Sequence, residues 1–353
     1  MRRILTAPLM LLLAVVLGVA AGLPSGYFVL HPGGSYEVGS RLEIPVEQRE
    51  EMGHLAFTAV LAGPGSWGEV VMTWLDPAAE VVPAEQLRPH GVSQQEVNEL
   101  NARLINESKL VAAVVGLRAA GHDARITGEG ARVVDVLAGM PAAGVLQAGD
   151  LIVAVDGRPT DTSIAVIQAT RQRTVGDIVT LTIVRDGQRQ EVRVGTRSAV
   201  DEPGRPVVGV AIATEGFDVV LPFPIEIDTG NVGGASAGLM FALGIFDAVT
   251  AGVLTRGHRV AGTGTISADG SVGPIGGAAL KVVAAERDGA DVFLVPRENY
   301  AEAQSVARSI RLVPVDRFED AVAALCGVAP TDESADSPVP PVCTTPPFVT
   351  AAP

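Results

Sequence analysis

The sequence predicts a multidomain chain: an N-terminal transmembrane helix, a mixed α/β segment, a small β-rich domain, and a C-terminal α/β (α+β) domain. Three observations carry this expectation. A run of about twenty uncharged residues, Ile4 to Leu23, is long enough to cross a bilayer as a helix. Short strands punctuated by glycine fill Asp123 to Gly195, and from Pro206 onward apolar strands alternate with helices. A length of 353 residues leaves room for several domains with cores of their own.

Residues 1–23 form the first element. Arg2 and Arg3 precede the apolar run, and no Lys or Arg follows it until Arg41, so the amino end is expected in the cytoplasm and the bulk of the chain outside the cell membrane. The competing reading is a signal peptide cut after the small residues Val19-Ala20-Ala21, which gives a secreted chain; the length of the run favours the uncleaved, single-pass anchor. Residues 24–122 follow as an extracytoplasmic segment. Leu55 to Leu61 and Gly68 to Trp74 read as strands, and Val92 to Ala120 as a helix with loose 3.6-residue periodicity. Trp67 and Trp74 suit core packing better than a membrane interface, and no chemistry stands out in this segment.

Residues 123–197 have a different texture. A strand Ala131 to Val136 is followed by the turn Met140-Pro141-Ala142-Ala143-Gly144, then Gly149-Asp150-Leu151-Ile152 and Val155-Asp156-Gly157. A helix is expected from Ile164 to Arg173, and strands from Ile178 to Arg185 and Gln190 to Val194 joined by an Asp186-Gly187 turn. This order resembles a bacterial PDZ domain. The resemblance implies capture of a protein chain end by strand addition, with Gly128-Glu129-Gly130 as the loop receiving the carboxylate and Val133 on the adjacent strand. The alternative is that Gly128 and Gly130 only turn the chain. Ser198 to Gly204 is read as a linker.

Residues 205–328 carry the candidate chemistry. Gly233-Gly234-Ala235-Ser236-Ala237-Gly238 places a serine among residues too small to cover it, ahead of the apolar run Leu239 to Val249. Backbone N–H groups at a helix start face any negative charge that develops there. Gly276-Gly277-Ala278-Ala279-Leu280-Lys281 opens a second helix with a lysine among apolar neighbours. The 26 basic residues include only the lysines Lys109 and Lys281, the rest being arginine. Arginine cannot give up its proton in a protein, whereas burial pushes a lysine toward neutrality, so Lys281 reads as a base for Ser236. A snorkelling lysine on an amphipathic helix is the plainer reading of Lys281 alone, and a helix-cap residue that of Ser236 alone; their joint occurrence favours the pair.

Together with Ala261-Gly262-Thr263-Gly264-Thr265-Ile266, Gly270-Ser271-Val272-Gly273-Pro274-Ile275 and Phe293-Leu294-Val295-Pro296-Arg297-Glu298-Asn299, this stretch resembles the proteolytic domain of Lon-type serine proteases. The resemblance implies Ser236 as nucleophile, Lys281 as general base and Thr263 as the hydroxyl beside the lysine amine. Backbone N–H groups of Gly234 and Ser236 are expected to hold the oxyanion. It also implies a homo-oligomer. One departure is evident: Lon proteases often carry an acidic residue three before the serine, where this chain has Gly233, with Asp228 the nearest acid in sequence. Residues 329–353 form a Pro-rich tail expected to be disordered, and its Cys343 is free to pair with Cys326 outside the cell.

The remaining composition excludes other classes. A net charge of −14 argues against nucleic acid as a partner. No Cys/His cluster has metal-binding spacing and no cofactor motif is present. No Gly-x-x-x-x-Gly-Lys-Ser/Thr stretch occurs, so no ATPase motor is encoded. A Ser-His-Asp triad is ruled out, because His258 is the one histidine after Ser236 and only Asp247 lies between them. The expectation is therefore a membrane-anchored, ATP-independent serine endopeptidase acting on protein or peptide substrates. The alternative is a catalytically inert anchored scaffold that binds protein C-termini.

Overall fold

A computed structural model describes residues 21–331, apart from 74–75, 77, 89–92, 200–203 and 252, and also Cys343. The chain forms two compact units. One combines the residues up to His122 with those from Phe223 onward, and the other is Asp123–Pro222. The second unit is thus inserted into the first, so residues 24–122 belong with the candidate catalytic segment.

The first unit is built on a six-stranded sheet. Its N-terminal strands are β1 (Pro24–Glu37), β2 (His54–Ser66) and β3 (Glu80–Pro83), and a long helix α1 (Gln94–Ala119) follows. Gly68 to Trp74, expected as a strand, departs from that reading: Trp67–Thr73 is helical. The cause is local, since Ser66 and Glu69 form a reciprocal cap in which Ser66 N–H donates to Glu69 at 2.7 Å and Glu69 N–H donates to Ser66 Oγ at 3.3 Å. The start of α1 uses the same device, a capping box between Ser93 and Glu96.

In the inserted unit the order is β4 (Gly130–Val136), β5 (Leu151–Val155), α2 (Ser163–Arg171), β6 (Ile178–Arg185), β7 (Gln188–Gly195) and β8 (Val210–Glu215). The sheet runs β7-β6-β5-β4-β8 with antiparallel pairing. Its core is Val133, Ile152, Val179, Leu181, Ile183 and neighbouring buried aliphatics. The apolar strand read as the start of the catalytic domain is instead the fifth strand of this sheet. Ser198 to Gly204, read as a linker, lies inside the unit, bracketed by the paired segments Arg197–Ser198 and Pro206–Val207.

Back in the first unit come α3 (Gly238–Val249), β9 (Arg259–Gly262), α4 (Ala278–Arg287), β10 (Val292–Pro296), the short helix α5 (Tyr300–Gln304), β11 (Arg311–Val315) and α6 (Phe318–Cys326). The sheet order is β11-β10-β9-β2-β1-β3, parallel from β11 to β2 and antiparallel beyond. Every residue of α3 from Gly238 to Ala248 is buried, as an all-round apolar helix must be. Phe241 of α3 meets Phe57 of β2 edge to face at 5.1 Å. Gly116 lets α1 come close to α3: a Cβ there would lie 2.6 Å from the Ala242 carbonyl oxygen. His122 and Phe223, which flank the insertion, stack edge to face at 5.4 Å.

Among the described residues no helix is long and apolar enough to cross a membrane. The expected transmembrane helix is therefore withdrawn, and with it the single-pass membrane localisation; apart from residues 21–23, the run 4–23 lies outside the described residues. Cys326 at the end of α6 is joined to Cys343 in a disulfide; the rest of the tail beyond 331 lies outside the described residues.

Candidate active site

The turn before α3 presents Ser236. Its own carbonyl is fixed from two sides, accepting from Gly264 N–H at 2.7 Å and from Thr263 Oγ1 at 3.0 Å. The Ala235 carbonyl accepts from Ser108 Oγ of α1 at 3.2 Å. Thr263 directly follows β9, at the carboxyl end of a parallel strand where α/β sheets commonly place ligand-facing residues. Its backbone N–H donates to Leu294 of β10 at 3.0 Å, which fixes the side chain's origin.

Gly277, in the left-handed region at φ 68°, turns the chain into α4, and Lys281 follows one turn later. Lys281 is only 3% exposed. Its Nζ lies 2.9 Å from Ser236 Oγ and 3.0 Å from Thr263 Oγ1. Burial pushes the amine down to about 8, opposed by the Glu302 carboxylate. Glu302, on α5, is held by Ala279 N–H at 3.0 Å and by Asn299 Nδ2 at 3.3 Å. It is the acid that bears on Lys281, and Asp228, the acid nearest Gly233 in sequence, is not among the causes acting on that amine.

These contacts fix the direction of the protons. Thr263 has one hydroxyl proton, which goes to the Ser236 carbonyl, so Thr263 Oγ1 can only accept from Lys281 Nζ. One N–H of a neutral amine is thereby engaged, which leaves a second N–H and the lone pair, and at 2.9 Å the lone pair is within reach of the Ser236 hydroxyl proton. The arrangement can take a proton from the serine hydroxyl.

The structure brings Ser236, Lys281 and Thr263 together but alters the expected oxyanion donors. Gly234 N–H donates to the Asn101 carbonyl of α1 at 3.0 Å and so is engaged, whereas Ser236 N–H has no acceptor among the described residues. At Gly233 a Cβ would fall 3.0 Å from Asn101 Cβ, so α1 crowds the position where an acidic residue would begin. Asn101, Ser108 and Glu302 carry no motif of their own; only the fold places them at the site.

The expected peptide-capture residues are also displaced. β4, beside which a chain end was expected to add, is paired on both edges, by β5 and by β8. Gly128 is packed against Thr214, Asp161 and Glu215, and Glu129 N–H already donates to the Glu215 carbonyl at 2.8 Å. Gly130, at φ 145°, lies against the Ile152 carbonyl, and Val133 is buried in the core. β8 is an edge strand, as β7 is at the other end of the sheet, and together with α2 it lines a mainly apolar cavity of about 430 Å³ that includes Val166, Ile167, Val210 and Ile212. Among the described residues no group of three or more His, Cys, Asp or Glu could hold a metal ion.

Comparison with known proteins finds two families along the chain, with bounds that differ from those of the two units: the first match begins within α1 and ends before β8. Residues 99–196 match the PDZ domain family, and residues 224–326 match the Lon protease (S16) C-terminal proteolytic domain. Lon protease 2 of Bacillus subtilis is 34% identical over 119 residues, 33% of this chain and 20% of that protein. Lon protease of the Aster yellows witches'-broom phytoplasma is 31% identical over 91 residues, 25% of this chain and 11% of that protein. The chain thus aligns with a fifth or less of these relatives' length. Among solved structures, the PDZ domain of an SdrC-like protein from Listeria monocytogenes is 28% identical with a TM-score of 0.23, covering 25% of this chain and 92% of that one. The segment that holds Ser236, Thr263 and Lys281 is thus the one similar to the Lon proteolytic domain.

Proposed function

We propose that this chain is a serine endopeptidase in which Ser236 is the nucleophile and Lys281 the general base. The observation that carries the reading is the contact between a buried, largely desolvated lysine amine and the serine hydroxyl at 2.9 Å. Ser236 Oγ attacks the peptide carbonyl carbon as Lys281 Nζ takes its proton. The resulting ammonium protonates the leaving amine, the C–N bond breaks, and an acyl ester on Ser236 remains. Water then attacks that ester with Lys281 again accepting the proton, and Ser236 regains its own. Thr263 orients the amine, and the free N–H of Ser236 is the donor available for the oxyanion. No bond formed or broken in this cycle requires nucleotide hydrolysis, so the reading is of ATP-independent cleavage.

The inserted unit captures substrate. Its ligand groove is the cavity between edge strand β8 and α2, where an extended chain end adds to the free edge of β8 and places alternate side chains against Val166, Ile167 and Ile212. The proteolytic reading is tested by peptide hydrolysis with Ser236→Ala, Lys281→Ala and the double variant. Each single change is expected to abolish cleavage with little further loss in the double. Lys281→Arg is also expected to be inactive, and an active arginine variant would remove lysine as the base.

A further inference from the structure

Beside the nucleophile turn lies a polar cleft of about 550 Å³ that none of the steps above uses. One wall is α1, contributing Asn98, Asn101 and Lys109, and the other is the 228–233 segment that runs into the Ser236 turn. The two walls are tied together at the point nearest the serine. Gly234 N–H donates to the Asn101 carbonyl, Gly233 packs against Asn101 Cβ, and Ser108, next to Lys109, donates to the Ala235 carbonyl. The cleft therefore adjoins the turn that carries Ser236.

Lys109 is the one lysine besides Lys281. It is half-buried, and among the described residues its ammonium has no hydrogen bond or ion pair within 4.0 Å. Asp228, the one acid lining the cleft, attracts Lys109 only from a distance. One of its oxygens already accepts from Gly230 N–H at 2.8 Å, and Arg41 donates to its backbone carbonyl at 3.2 Å. The asparagines at the rim are neutral. The cleft thus holds a partly dehydrated cation with all its donors unspent, and a substrate that expels the remaining water deepens its need for an anion.

From this juxtaposition we infer that Lys109 is a specificity-determining residue that pairs with an acidic side chain of the substrate, selecting Asp or Glu near the scissile bond. The inference rests on Ser236 being the nucleophile. It makes the second lysine of an arginine-rich chain part of the same reaction, on the recognition side.

The test uses the full chain and a set of internally quenched peptides in which Glu, Gln or Lys is scanned through the positions flanking the cleaved bond. At one position the wild type is expected to prefer Glu over the near-isosteric Gln by at least about tenfold in kcat/KM, and the preference should shrink as salt is raised. This readout needs no variant and is independent of whether one folds. Lys109→Met, which keeps the length of the side chain, should reduce the Glu/Gln ratio to about one while leaving cleavage of the Gln peptide within about twofold, and Lys109→Glu should favour the Lys peptide. Ser236-dependent cleavage with no Glu preference at any position, or a preference that survives Lys109→Met, overturns the inference and leaves the proteolytic reading intact. A wild type that cleaves none of the peptides, or cleavage that survives Ser236→Ala, overturns both.

Discussion

If Lys281 must be neutral to accept the serine proton, its position in the fold sets the pH dependence of cleavage. The perturbation is pH itself. Burial lowers the amine to about 8, so the neutral fraction is about 0.1 at pH 7 and about 0.9 at pH 9. The kcat/KM for a short peptide without ionisable groups should therefore rise about tenfold between these values and then level off. A lysine left at its ordinary value of about 10.4 would instead give a rise of about a hundredfold over the same interval, with no plateau below pH 10. Stability should follow the same displacement. Because the folded protein holds this proton more weakly than the unfolded chain, the unfolded state binds more protons between about 8 and about 10.4, and the Lys281 contribution to stability rises with pH across that window. Below it the buried ammonium costs on the order of 3 kcal/mol. The assay is kcat/KM from pH 6 to pH 10 with a fluorogenic peptide, paired with denaturant unfolding at the same pH values. A flat profile, or one that climbs steadily past pH 10, refutes a neutral-lysine base.

Three further expectations follow from single contacts. Thr263→Val keeps the volume but removes the hydroxyl that orients Nζ and braces the Ser236 carbonyl; kcat should fall by about 10- to 100-fold with KM little changed, and Thr263→Ser should recover most of it. Asp247, fully buried on α3, accepts from Gly53 and Leu254 N–H groups at 2.7 Å each, so Asp247→Asn leaves one of those donors unpaired and should cost about 1–3 kcal/mol, read as a lowered Tm. Because His122 and Phe223 stack at 5.4 Å, replacing Asp123–Pro222 by a short Gly/Ser bridge should leave a folded unit that still cleaves small peptides but loses activity on protein substrates; loss of both activities in a folded variant would mean the inserted unit does more than capture substrate.

What could be read ahead of the structure follows from the range of each interaction. Ser236, Thr263 and Lys281 each sit in a short glycine-bounded motif, so their candidacy was legible from local sequence, and the structure brings the three within hydrogen-bond distance. The start of α1 at Ser93 and the hairpin turn at Asp186-Gly187 were set by neighbouring residues in the same way. Strand partners are not local. The β8 strand has an apolar alternation that suits either sheet, and its pairing with β4, about eighty residues earlier, placed it in the inserted unit and closed the edge expected to receive substrate. In the same way, β1 and β2 join the catalytic sheet through β9, some two hundred residues downstream. Nor could the sequence show that Asn101 engages Gly234 N–H and crowds Gly233. That follows from the packing of α1 against the nucleophile turn.

The most direct measurement of the central claim is to trap the acyl-enzyme position. The protein is incubated with a peptide carrying a C-terminal serine-reactive electrophile, and the adduct is mapped by mass spectrometry in the wild type and in Lys281→Ala. The account predicts a stoichiometric adduct on Ser236 that is lost or strongly slowed when the lysine is removed. Modification at another residue with Ser236 untouched, or labelling of Ser236 at an unchanged rate in Lys281→Ala, would contradict it.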